Sequence, residues 1–255
     1  MPVPLVTPTT LALLALVSFF AGLVDSIAGG GGLLTVPALL TAGLPPHLAL
    51  GTNKGQAAFG AISSFASFWS KDAIDRPRVP LAFSLGFAGS LCGAALLFLL
   101  SPERLRPIVL GLLVVAAAVV GLRRTTHATK PWATRPRLAL AILALALGAY
   151  DGFFGPGTGS ILIVGNALLF GDNLTRASGN AKVVNLASNL AALLLFTLRA
   201  TVIWKIALPM AAANTVGALV GSRLAIKRGD GFVRGVVLLV VLALVVKLGL
   251  DLVRR

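Results

Sequence analysis

The chain alternates long apolar runs with short polar connections. A first run extends from about 11 to 42 and is broken by Gly29, Gly30, Gly31 and Gly32. A second covers about 47–69 and a third 80–100, separated by a connection, 70–79, that holds five charges. A fourth runs from about 106 to 122. The longest polar connection, 123–137, carries five Lys or Arg and no acid. The series then recurs as 138–170, broken near 155–159, followed by 175–198, 202–225 and 232–253. Runs of ~20 apolar residues cross a bilayer as helices. The pattern therefore predicts an all-α polytopic membrane protein with about eight hydrophobic segments.

The two series match each other. Gly22-Leu23-Val24-Asp25 followed by Gly29 corresponds to Gly148-Ala149-Tyr150-Asp151 followed by Gly155, at an offset of 126. Asn53 corresponds to Asn180 at 127, and Gly89 and Gly93 to Gly217 and Gly221 at 128, as does Arg106 to Arg234. A nearly constant offset over separate landmarks marks an internal repeat. It predicts two duplicated halves: a first membrane repeat over 1–122, a basic cytoplasmic loop over 123–137 and a second membrane repeat over 138–255. The GxxxG pairs read as close helix contacts. Each Gly-broken stretch is too long for one plain span and too short for two. If it crosses once, the halves are parallel; if it turns back as a re-entrant hairpin, they are inverted. The hairpin is the favoured expectation, because broken helices at a repeat interface recur in transporters.

Composition agrees with a lipid-facing surface. Hydrophobic residues make up 57% and charged residues 12%, with a mean hydropathy of +0.94; soluble domains run ~45–50% and ~25%. The formal net charge of +14 does not indicate nucleic acid, which calls for basic residues gathered on one surface beside stacking aromatics. Here they sit between the apolar runs, as membrane loops are charged. A single cysteine, Cys92, cannot form a disulfide within the chain, and His47 and His127 are the only histidines, so neither metal nor cofactor is expected. The opening residues lack a basic n-region and lead into the glycine motif, which argues against a cleavable signal. No GxxxxGK[ST] string is present, so ATP hydrolysis is not expected.

Ionisable residues are nearly absent from the apolar runs, with four clear exceptions. Asp25 and Lys54 lie in the first half, Asp151 and Lys182 in the second. Charges at membrane depth are costly and commonly line a polar path; two Asp–Lys pairs that lock helices together are the alternative. Each glycine break precedes an apolar segment whose helix would aim its free N–H groups and positive dipole end at the break. Gly155, Gly157, Thr158 and Gly159 mirror the four glycines of the first half, and two such ends would form an anion site made of backbone. Glycines that only allow tight helix contact are the other reading. The next helix is polar on one side: Thr52, Asn53, Lys54 and Gln56, answered by Ser178, Asn180, Lys182, Asn185 and Asn189. Asn185 and Asn189 share a face. These amides and hydroxyls suit an oxyanion or serve as interhelical glue. Asp25 and Asp151 are the candidates for proton coupling, since a protonated carboxyl ceases to compete with a bound anion.

The strings GLVDSIAGGGGLLTVPALLTAGLPPHLALGTNKGQAAFG and GAYDGFFGPGTGSILIVGNALLFGDNLTRASGNAKVVN resemble the two repeated motifs of the TauE/SafE family of membrane permeases, the sulfite exporters. The resemblance covers essentially the whole chain. It implies a multi-pass transporter of a bacterial inner membrane that moves small sulfur-containing anions such as sulfite, sulfonates or sulfoacetate. The motif carries over onto Gly29 to Gly32, Asn53, Gly155, Gly157, Gly159 and Asn180. The sequence departs from it at Pro156-Gly157-Thr158, where the family more often has a run of glycines. The expected partners are a small anionic substrate and the lipid bilayer. A non-transporting partner of an enzyme complex and an intramembrane enzyme are the competing classes; the second lacks a nucleophile with its base.

Overall fold

The computed structural model describes residues 7–101, 103–105, 107–109, 111, 112, 115 and 131–253. The fourth apolar run, most of the basic connection, Arg106 and His127 thus lie largely or wholly outside the described residues. The helices are α1 (Pro8–Ala28), α2 (Gly32–Thr41), α3 (Pro46–Ser70), α4 (Val79–Leu97), α5 (Pro136–Phe153), α6 (Thr158–Phe170), α7 (Leu174–Leu198) and α8 (Trp204–Val253). A short 3-10 turn, Arg76–Arg78, precedes α4, and α8 is interrupted at Gly229. There is no strand among the described residues. Among the described residues four segments, Pro8–Ala28, Arg76–Leu97, Pro136–Phe153 and Leu174–Leu198, are long and apolar enough to cross a membrane.

Local chemistry sets the helix ends. Thr7 caps α1 by accepting from Thr10 N–H, and Asn173 caps α7 by accepting from Arg176 N–H at 2.8 Å. Pro8, Pro46 and Pro136 each open a helix where no intrahelical N–H is required. α1 stops at Gly29, whose φ of 72° and ψ of 170° lie in a region open essentially to glycine alone.

At both glycine breaks the chain doubles back. A Cβ on Gly31 would lie 2.7 Å from Ala21 O and 2.8 Å from Asp25 Cβ, so α2 begins beside the last turns of α1 and not beyond them. Its far end joins Leu14 of α1 through Leu39 and Leu44 in one buried apolar cluster. In the second hairpin, Trp132 and Ala133 N–H donate to Leu168 and Leu169 O. At 10 residues, α2 is about 15 Å long against about 31 Å for α1.

The long helices pair crosswise, α1 against α8 and α4 against α5. Gly22 of α1 meets Asn214 O and Ala218 N, while Gly217 meets Phe19 O and Leu23 N. The other seam repeats these contacts: Gly148 meets Gly86 O, and Gly89 meets Leu145 O and Ala149 N. Apolar burial gains little in lipid, so small residues that admit close backbone approach hold such seams. The sequence-predicted GxxxG glycines all lie there. α3 and α7 run antiparallel through the centre. The start of α3 meets the segment after α7, with Gly51 against Thr201 O. The start of α7 meets the segment after α3, with Gly179 against Ala73 O.

Candidate functional site

The two glycine breaks abut at the centre of the molecule. A Cβ on Gly29 would overlap Ser160 N and Gly159 C, and Gly32 lies against Pro156. Ser160 Oγ and Ser178 Oγ donate to Ala28 O and Ile27 O, at 2.8 and 2.9 Å, tying the end of α1 to α6 and α7. Between the breaks lies a cavity of about 50 Å³. A water needs ~10–15 Å³ by this measure, so the space suits several waters or one small polyatomic ion.

Three kinds of group line it. Backbone comes from Gly30, Gly31 and Gly32 at the start of α2, and from Gly155 and Gly159 around the start of α6. Both short helices thus present their positive ends to the cavity. Amides come from Asn53 and Gln56 of α3, Asn185 and Asn189 of α7, and Asn214 of α8. Asn53 Oδ1 accepts from Thr35 Oγ1 and Gln56 Nε2. Gln56 Oε1 is buried without a hydrogen-bond partner, so it offers an acceptor to whatever occupies the cavity. Charges come from Asp25, Lys54 and Asp151.

The four charges, three buried and Asp25 half-buried, pair across the molecule. Lys54 Nζ lies 3.0 Å from Asp151 Oδ2, and Lys182 Nζ lies 3.0 Å from Asp25 Oδ2. The pairs differ in their surroundings. Asp151 also accepts from Ser188 Oγ, and its side chain is 6% exposed. Asp25 is 35% exposed and accepts Gly31 N–H on Oδ1. Lys182 is completely buried behind Asp25 and also donates to its carbonyl oxygen; it does not line the cavity, whereas Lys54 does. The cluster is neutral when all four are ionised, which offsets much of the cost of burying them.

The other sequence-predicted residues lie around the cavity and not on its wall. Gly157 caps α6 and Thr158 Oγ1 donates to Gly155 O. Thr52 Oγ1 accepts Ile203 N–H at 3.1 Å. Asn180 accepts Asp75 N–H at 2.8 Å and donates to Asp172, which also pairs with Arg78. Thr52 and Asn180 thus anchor the loops after α7 and α3 in the same way, at a spacing of 128. Asn180 corresponds to Thr52, and not, as the sequence suggested, to Asn53. Asn180→Ala is expected to lower the melting temperature of the detergent-solubilised protein by the loss of two partly buried bonds, about 1–3 kcal/mol, and to leave substrate affinity unchanged. A weakened affinity at unchanged stability would return Asn180 to the binding site.

Asn214 escaped the sequence reading. It sits in a mainly apolar run, and its signal is tertiary: Nδ2 donates to Ser18 O, while Oδ1 occupies the space that a side chain on Gly60 would fill. No group of His, Cys, Asp or Glu that could hold a metal occurs among the described residues.

Apolar helices wrapped around a charge-paired polar cavity fit a membrane transporter, and the family and relatives that the chain matches are transporters, not enzymes. The chain belongs to the Sulfite exporter TauE/SafE family, which matches residues 14–248. It is 38% identical over 249 residues to the probable membrane transporter protein YfcA of Escherichia coli, covering 97% of this chain and 92% of that one. It is 37% identical over 245 residues to a probable membrane transporter protein of Haemophilus influenzae, covering 94% and 95%. A probable membrane transporter protein of Sinorhizobium, ORF9, is 36% identical over 243 residues, with 94% and 93% covered. No solved structure matches the chain.

Proposed function

We propose that this transporter is a multi-pass protein of a bacterial inner membrane that carries small sulfur-containing oxyanions, sulfite or sulfonates, through the central cavity. The observation that carries the reading is the meeting of two helix N-termini with a cavity-facing ammonium and five amides. Backbone dipoles and Lys54 favour negative charge, and the amides supply donors without adding charge. The unpartnered Gln56 Oε1 suits a bound water or the hydroxyl of a protonated oxyanion.

The same proposal takes the two halves as duplicates in inverted orientation, each opening with a re-entrant hairpin. Its support is the equivalence of the crosswise seams and the antiparallel course of α3 and α7. The 128-residue match of Lys54 with Lys182 adds to it. Inverted halves around a midplane site are a recurring basis for alternating access.

Proton coupling is assigned to Asp25 in the first place. Its carboxylate lines the cavity and holds Gly31 N–H, a donor an anion would use, with Lys182 behind it. Protonation frees both and leaves one ammonium uncompensated, so a proton and an anion enter together. Proteoliposomes offered sulfite, sulfoacetate, taurine and carboxylates should accumulate the sulfur oxyanions when a pH gradient is imposed. Asp25→Asn is expected to bind anion but to ignore the gradient. A wild-type flux indifferent to the gradient would end the coupling assignment; transport of carboxylates alone would end the substrate assignment.

A further inference from the structure

We infer that the groove between the C-terminal end of α3 and the middle of α8 binds the phosphodiester headgroup of an anionic membrane phospholipid. The groove, about 770 Å³ in volume, takes Lys71 from one side and Arg223 and Lys227 from the other. None of the three has an ion-pair partner among the described residues, and the lining contains no acid. Asp72, the nearest acid in sequence, pairs with Arg76 at 3.3 Å. Ser67 and Ser70 add hydroxyls to the same rim. Three unpaired cations beside the Ser67 hydroxyl suit a phosphate diester, while Ser70 Oγ donates to Ser67 O.

The groove has the second half of a lipid's chemistry as well. α3 and α8 pack in parallel, with Gly60 against Asn214 and Ser63 Oγ donating to Thr215 O. Below the basic rim, helical spacing therefore continues one wall through Ile62 and Phe59 and the other through Val220 and Val216, all four exposed. Trp69, beside Arg76 at 4.9 Å, stands where aromatic side chains gather at membrane interfaces. A basic rim above an apolar trough is what an anionic amphiphile requires, and basic pockets between membrane helices hold such headgroups. In the matching crevice between α7 and α4, the positions 128 residues away are Arg199, Ala95 and Leu99. One cation stands there in place of three, and Arg199 stacks on Phe98. The site thus belongs to one end of the molecule, where it bridges α3 to α8.

The test is independent of the transported substrate. Native mass spectrometry and thermal unfolding of the detergent-solubilised chain are followed with phosphatidylglycerol, phosphatidylcholine or inorganic phosphate added. Wild type should retain phosphatidylglycerol and melt higher in its presence than with phosphatidylcholine. Combined Lys71→Gln, Arg223→Gln and Lys227→Gln should weaken phosphatidylglycerol retention at least tenfold, while Arg199→Gln keeps it. Equal retention by the triple variant, equal stabilisation of wild type by phosphatidylcholine, or full replacement of the lipid effect by inorganic phosphate would overturn the assignment. If the triple variant does not fold, Lys227→Gln alone, at an exposed position, decides: unchanged phosphatidylglycerol occupancy overturns it and reduced occupancy supports it.

Discussion

Combined Lys54→Met and Asp151→Asn is expected to yield a folded protein that has lost most of its anion binding. Lys54→Met alone should be far less stable. Lys54 is 2% exposed and Asp151 4%, and removal of one partner leaves the other charged and buried, a loss of about 3–5 kcal/mol. Replacing both removes that penalty, and the new amide can still accept from Ser188. Melting temperature should therefore fall in the single variant and recover in the double one. Anion binding should not recover, because Lys54 is the cation on the cavity wall. A charge-assisted hydrogen bond contributes about 1.5–3 kcal/mol, so affinity should drop roughly 10- to 150-fold. Binding is read by calorimetry and flux in proteoliposomes. Wild-type flux from the double variant would reduce the pair to a rivet between helices.

Gly29→Ala should be among the most damaging single changes in the chain, and Gly30→Ala much milder. Both residues have positive φ, 72° and 96°, so both substitutions carry backbone strain of about 1–3 kcal/mol. They differ in space. A methyl group on Gly30 would meet only Leu33 Cδ1 and Ser160 Oγ, each at 3.5 Å, an ordinary contact. On Gly29 it would overlap the Gly159–Ser160 backbone, adding about 1–3 kcal/mol of overpacking and prising the two breaks apart. Gly29→Ala should lower the melting temperature well below that of Gly30→Ala and abolish flux. Equal stability and flux in the two variants would mean that the breaks do not abut.

Much of this arrangement is written locally. Apolar runs, prolines at helix starts and glycines at the breaks act through residues close in sequence, and so predict α1 to α7 nearly to their ends, whereas the two runs 202–225 and 232–253 fall in the one element α8. Asp25, Lys54, Asp151 and Lys182 stand out because almost nothing else in the apolar runs is ionisable. Their partners do not. Nothing near Lys54 indicates that it reaches across to Asp151 and not to Asp25 in its own half, because the choice depends on how α3 and α7 cross. The same limit explains Asn180. It stands beside Lys182 much as Asn53 stands beside Lys54, but one position earlier on a helix points about 100° away. That turns it toward Asp75 and the loop. Asn214 is an amide in a mainly apolar run whose purpose appears only once α8 lies against α1. Contacts such as Gly31 with Ala21, which bear on whether the glycine stretches cross or double back, are tertiary, and length and charge cannot anticipate them.

The crosswise seams also govern how the chain can be made. α1 finds its main partner not in α2 or α3 but in α8, and Gly217 follows Gly22 by 195 residues. At ~5–20 residues per second of synthesis, α1 waits roughly 10–40 s in the bilayer with its glycine face unmatched. Lipid tolerates that wait, since an unpacked small-residue face exposes no ungrouped polar backbone and draws no hydrophobic penalty. α4 waits less, because α5 follows directly after the basic connection. Assembly therefore closes from the middle of the chain outward: the α4–α5 seam forms first and the α1–α8 seam last. A chain interrupted in the connection gives two fragments, each lacking the partners of its own helices, and neither can complete the central cavity until the other is present.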